Sequence, residues 1–126
     1  MATHLEVDLS GTKHDDGKIR FDLLPDDALT LVAEILTKGA EEYGDRNWEE
    51  GITASRLRAA AERHMRRWNL GQTMDPKSGM SHLVHAACDL LMMVALEARG
   101  TPGFDDRRYI FTYGPTFDKL METVKK

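Results

Sequence analysis

Much of what this chain can be is settled by what it has little of. Its 126 residues include a single cysteine, Cys88, so no intrachain disulfide forms and a reducing compartment such as the cytoplasm is expected. No apolar run approaches the roughly 20 residues that a membrane-spanning helix needs, so no membrane partner is expected. The opening Met-Ala-Thr-His-Leu-Glu-Val-Asp has no basic region leading into an apolar stretch and does not read as a secretory signal. Positive charge is not in excess: 17 Lys and Arg face 21 Asp and Glu, for a formal net charge of -4. A general nucleic-acid binder draws its affinity mainly from neutralising phosphates, so no stable nucleic-acid partner is expected. HExxH, CxxC, P-loop, GxGxxG and GxSxG motifs are all absent, as are internal repeats and low-complexity tracts.

What is present reads as one all-α domain spanning residues 1–126, a four-helix bundle behind an irregular N-terminal arm. The arm covers residues 1–24, with a turn at Lys13–Lys18 and a short piece, Ile19–Leu24, ahead of Pro25. Pro25, Asp26 and Asp27 signal a helix start, after which Leu29, Val32, Ala33, Leu36, Ala40 and Tyr43 recur at helical spacing. Gly44 ends that helix, and a loop carrying Trp48 follows. A second helix, capped by Thr53 or Ser55, runs to about Leu70, with Leu57, Ala61, His64, Met65 and Trp68 on its apolar face. A polar turn, Asp75-Pro76-Lys77-Ser78-Gly79, leads to a third helix from about Ser81 to Arg99, and residues 25–99 thus hold the three main helices. Pro115 opens a short final helix at 115–125.

The third helix is apolar enough to be wholly buried, yet it carries His82, His85 and Asp89 within roughly 60° of one another. A carboxylate in a core needs a cation, a hydrogen-bond donor or a metal beside it. Two readings are open: a structural His85–Asp89 pair one turn apart, or a metal or catalytic group that His64 joins from the facing helix. Arg56, Arg63 and Arg67 border the second helix's buried face, where they can hold a small polyanion. Glu34, Lys38 and Glu41 read as a solvated stripe, and Trp48 as a loop anchor or a surface for stacking. Ser78 lies near histidines but has no nucleophile turn around it, which makes a Ser-His-Asp hydrolase a remote reading. Cys88, inside the apolar helix, reads as packing.

Four stretches carry a family resemblance: Lys-His-Asp-Asp-Gly-Lys-Ile-Arg-Phe-Asp-Leu-Leu-Pro at 13–25, Lys-Gly-Ala-Glu-Glu-Tyr-Gly-Asp-Arg-Asn-Trp at 38–48, Arg63-His64, and Asp75-Pro-Lys-Ser-Gly followed by His82-Leu-Val-His85-Ala-Ala-Cys-Asp89. In order and gaps they resemble the phage and bacterial dATP/dGTP diphosphohydrolases, in the all-α MazG/HisE-like group of nucleoside triphosphate pyrophosphohydrolases. The resemblance implies hydrolysis of dGTP and dATP to monophosphate and pyrophosphate, with Mg²⁺ or Mn²⁺, in a homodimer or homotetramer. It also implies a role in supplying dGMP for 2-aminoadenine DNA synthesis in a phage. Carried onto this chain, Asp89, His85 and His64 are the expected catalytic residues, and His82, His85, Asp89 and Glu34 the expected metal ligands. Lys18, Asn47, Trp48, Arg63, Arg67 and Asp75 are the expected substrate contacts. The wider group uses EExxE and ExxD motifs, whereas here Asp89 is the clear acidic counterpart, leaving Glu34, Glu41, Glu62 and Asp75 as sources of further carboxylates. Two rivals remain: an all-α metal phosphohydrolase that releases the whole triphosphate, and a small non-enzymatic binding module.

Overall fold

The computed structural model describes residues 7–108, and residue 122 besides; the short helix expected at 115–125 and the start of the arm lie outside the described residues. Three α-helices make the fold: α1 (Asp26–Tyr43), α2 (Ala54–Asn69) and α3 (His82–Ala98), with 3₁₀ turns at Phe21–Leu23 and Asn47–Glu50. No strand occurs among the described residues, where an isolated bridge between Met74 and Ser81 pinches the turn ahead of α3. The all-helical class is therefore as expected. No described helix is long and apolar enough to cross a membrane.

Local chemistry sets most of the helix ends. Pro25 occupies the N-cap of α1, Asp26 and Asp27 sit in its first turn, and Gly44 leaves the helix at φ +92° with its N–H on the Ala40 carbonyl at 2.8 Å. At α3 the Ser81 hydroxyl accepts the Leu83 N–H. The start of α2 departs from expectation, because neither Thr53 nor Ser55 caps it through its own side chain. Asp106 does so instead from 51 residues away, accepting the Ser55 N–H at 2.9 Å and the Ser55 hydroxyl at 2.5 Å. The Ala54 N–H meanwhile reaches the Phe104 carbonyl at 2.8 Å. Asp106→Ala strips this cap, and a fall of a few degrees in the unfolding midpoint is expected, measured by circular dichroism. An unchanged midpoint would show that water replaces the carboxylate without loss.

Helix α3 is the hub, packing against both α1 and α2. Ala54, Leu57, Leu96 and Phe104 form the core, with Trp48, Ile52, Met92 and Met93 packed around it. Burial is narrower than the apolar stripes imply. Of α1's stripe, Val32 alone is buried; on α2, Met65 and Trp68 remain 45% and 41% exposed. Nor is α3 wholly buried, since Leu90, Leu91 and Val94 face outward. Periodicity marks which face of a helix is apolar, but the described residues supply too few elements to cover every such face.

Candidate functional site

The last turns of α2 and the first turns of α3 meet over the segment 70–81, and their polar side chains converge there. That segment folds back on itself: the Asp75 N–H donates to the Met80 carbonyl at 2.8 Å, Gly79 to the Asp75 carbonyl at 2.7 Å, and His82 to the Thr73 carbonyl at 3.0 Å. Gly79 sits at φ +72°, a left-handed conformation that glycine adopts without strain. The fold-back carries Gln72, Asp75 and Ser78 to the helix ends that present His64, His82 and His85.

His82 is fully buried, and its Nε2 lies 2.7 Å from Gln72 Oε1. An amide oxygen only accepts, so Nε2 carries the proton and Nδ1 is left with its lone pair. That Nδ1 lies 2.9 Å from His64 Nδ1. The His64 ring stacks on His85 at 4.5 Å between centroids. Ser78 Oγ accepts the Met80 N–H at 3.1 Å and lies 2.7 Å from His85 Nε2, to which its hydroxyl can donate. Asp75 Oδ2 is 3.9 Å from the same nitrogen, and its other oxygen accepts the Lys77 N–H at 2.9 Å. One donor atom from each of His64, Asp75 and His82 lies within 4.8 Å of the others.

Burial lowers the pKa of both His64 and His85, with neighbouring imidazoles adding to the effect and Asp75 opposing it. The Lys77 backbone donor holds Asp75 below the usual carboxylate range. These shifts favour neutral imidazoles and an ionised Asp75 at pH 7, the forms in which such side chains bind metal ions. One turn along α3, burial pushes Asp89 up to about 6, partly opposed by Arg63. Cys88 is pushed up to about 11 by burial and by Asp89, which makes its thiol inert at neutral pH.

Beside this cluster an open cleft of about 1310 Å³ separates the second half of α1 and the Trp48 loop from α3. Of the expected site residues, Asn47, Trp48, Asp75, His85 and Asp89 line it. Arg63 lines a smaller neighbouring pocket of about 420 Å³ with Arg56, which borders both. Arg67, Lys18 and Glu34 are exposed and line neither pocket. Other residues beyond that expected set also reach the site. Lys38, read as part of a solvated stripe, reaches across to the Ser78 carbonyl at 3.4 Å, and Arg46 and Lys77 also line the cleft. The Asp-Pro-Lys-Ser-Gly turn was a signal for Lys77; nothing in the sequence singles out Gln72.

Trp48 has a double setting. It packs against the core and lines the cleft, and the Arg99 guanidinium stands 5.3 Å from its ring centre. Arg99 also pairs with Glu49 at 3.2 Å, which in turn holds Arg46 at 3.1 Å, so the loop is tied to the end of α3.

Imidazole and carboxylate donors converge between helix ends, next to a cleft of mixed charge, in an all-helical domain, an arrangement of the kind that could hold a divalent cation. The particular family is clear from comparison. The chain belongs to the family described as dATP/dGTP diphosphohydrolase, N-terminal, whose pattern matches residues 9–107. It is 33% identical over 101 residues to a protein of Salmonella phage PMBT28 named dATP/dGTP diphosphohydrolase, an alignment covering 80% of this chain and 34% of that protein. The chain thus spans 34% of the length of the curated relative it matches. No solved structure matches it.

Proposed function

We propose that the chain acts on the purine deoxynucleoside triphosphates dGTP and dATP, releasing pyrophosphate and the monophosphate. The observation that carries this reading is the family match over residues 9–107, together with the name of the phage relative. The cleft supports it: Lys38, Arg46, Arg56 and Lys77 offer cations to a triphosphate, and Asn47 offers both a donor and an acceptor to a base edge. Arg63 and Arg67 extend the basic border along α2, and Lys18 is a further candidate from the arm. Neutral His85, bonded to Ser78, is the group suited to take a proton from an attacking water, with His64 stacked behind it.

Mg²⁺ or Mn²⁺ takes oxygen ligands, and Asp89 with Glu42 and Asp45 puts carboxylates on the cleft walls. When bound, such an ion offsets triphosphate charge and polarises the phosphoryl group under attack. Self-association as a homodimer or homotetramer would cover the outward apolar residues of α3, of which Val94 is 61% exposed. A dGMP product would serve a purine-modifying synthetase in a phage that makes 2-aminoadenine DNA.

A second reading is favoured by one observation. Because the chain spans 34% of its relative, it can be the nucleotide-binding part of an activity completed elsewhere. Incubating the purified chain with dGTP, dATP and dCTP, with and without Mg²⁺ or Mn²⁺, and resolving the phosphorus products separates these outcomes. Pyrophosphate with dGMP, formed only with the metal, is expected. Tripolyphosphate would overturn the proposed bond cleavage, and saturable dGTP binding without turnover would establish the binding-module reading.

A further inference from the structure

The imidazole cluster does not suit the metal that the cleft carboxylates suit. Mg²⁺ prefers six oxygen ligands in near-octahedral array and dehydrates reluctantly. His64, Asp75 and His82 offer two nitrogens and one oxygen, a borderline donor set that binds ions at the zinc end of the divalent series far better than Mg²⁺ or Mn²⁺. We infer that His64, Asp75 and His82 form a binding site for a nitrogen-seeking transition ion of the Zn²⁺ class, at the edge of the cleft that Asp75 also lines and with ligands other than Asp89, Glu42 and Asp45. The inference stands on this cluster and does not depend on the hydrolase reading.

Three features carry it. His82 is fully buried and gives its Nε2 proton to Gln72 Oε1 at 2.7 Å. A metal-ligating histidine is held in this way, with one ring nitrogen donating to a neighbouring oxygen and the other presenting its lone pair. The lone-pair nitrogen points at His64 Nδ1, 2.9 Å away. Two nitrogens bound to one Zn²⁺ at ~2.0–2.1 Å in tetrahedral array stand about 3.3 Å apart, so the pair needs to open by only a few tenths of an ångström. Asp75 completes the set with a carboxylate whose Oδ1 is already held by the Lys77 N–H at 2.9 Å.

The competing account is a direct N–H···N hydrogen bond from His64 to His82, with no ion. It accounts for the short nitrogen–nitrogen distance but gives Asp75 no part in the contact. Three protein ligands are also the number found at zinc sites that keep one coordination position for water or another ligand.

The test uses the whole chain stripped with chelator, titrated calorimetrically with Zn²⁺ and Mg²⁺ and spectroscopically with Co²⁺ as a coloured substitute for Zn²⁺. One equivalent of Zn²⁺ is expected, bound at least about a thousandfold more tightly than Mg²⁺, with Co²⁺ giving the visible bands of a low-coordinate nitrogen–oxygen site. Asp75→Asn and His64→Ala each remove a ligand from a half-buried position and should weaken Zn²⁺ binding about a hundredfold or more while circular dichroism keeps its helical signal. Gln72→Ala touches no ion yet should weaken it by about 10- to 100-fold, by freeing the His82 ring. Absence of saturable Zn²⁺ binding, equal competition by Mg²⁺, or Zn²⁺ affinity unmoved in Asp75→Asn and His64→Ala would each overturn the inference.

Discussion

Replacing Asp89 with asparagine is expected to cut dGTP hydrolysis by about a thousandfold, the several kcal/mol associated with losing charge stabilisation at a metal-assisted phosphoryl centre. The same substitution should raise the unfolding midpoint by a few degrees at pH 7.5 in the absence of metal. Burial pushes the Asp89 carboxyl up to about 6, so its ionised form is disfavoured in the folded state. The sign follows from proton counts. Between the unfolded value near 4 and the folded value near 6, the native state holds more protons than the unfolded chain, so this group's contribution to stability falls as pH rises through that window. Above pH 6 the whole cost is present, and asparagine, neutral at every pH, removes it. The gain should therefore shrink as pH falls below about 6 and disappear near pH 4. Paired thermal melts and product assays on the two proteins check both halves: normal turnover in Asp89→Asn would remove Asp89 from the proposed chemistry, and a pH-independent gain would refute the burial argument.

Trp48→Ala is expected to lower the unfolding midpoint by about 10 °C, the scale set by losing most of a half-buried indole from a domain of this size. The indole packs against the Leu57–Leu96–Phe104 core and carries the Arg99 guanidinium at 5.3 Å, so truncation removes core contact and a cation–π contact together. Trp48→Phe should retain most of the stability. As a stacking surface for the base, Trp48 has a second expected effect: KM in the alanine variant, measured well below its midpoint, should rise about tenfold for dGTP and dATP and less for dCTP. An equal loss on all three nucleotides would leave Trp48 as an anchor alone.

The parts of this fold that could be read from sequence are those governed by neighbours in the chain. Pro25 and Gly44 mark helix ends through chemistry that acts within four residues, and both do so in the structure; α3 also starts at Ser81 as expected, although its cap is Ser81 itself rather than the Ser78 or Asp75 of the preceding turn. The chemical stripe of α3 was legible for the same reason, since helical periodicity fixes that His82, His85 and Asp89 share a side. Where each of those side chains finds its partners was not legible. The fold-back of residues 72–80 draws His82 and His85 to the turn, while Asp89, one turn further along, belongs to the cleft. His85 accordingly meets Ser78 and Asp75 rather than forming the local pair with Asp89. Lys38 illustrates the same limit: its bond to Ser78 spans 40 residues, and i,i+4 spacing with Glu34 gave no sign of it. Glu34 and Lys18 have suitable chemistry, but both are exposed and neither is among the residues that line the cleft.

The distant capping of α2 has a consequence for the order in which the chain acquires its shape. A ribosome delivers residues 54–69 long before it delivers Phe104 and Asp106, the groups that satisfy the first amides of that helix. Until they emerge, the Ala54 and Ser55 amides have water as their partner, while the Thr53 carbonyl already accepts from Arg56 and Leu57. Closing a loop of 51 residues costs only modestly more entropy than closing a short one, so the step is thermodynamically easy. Its timing is set by chain order: the Ala54 and Ser55 amides gain these partners only after translation has passed both α2 and α3.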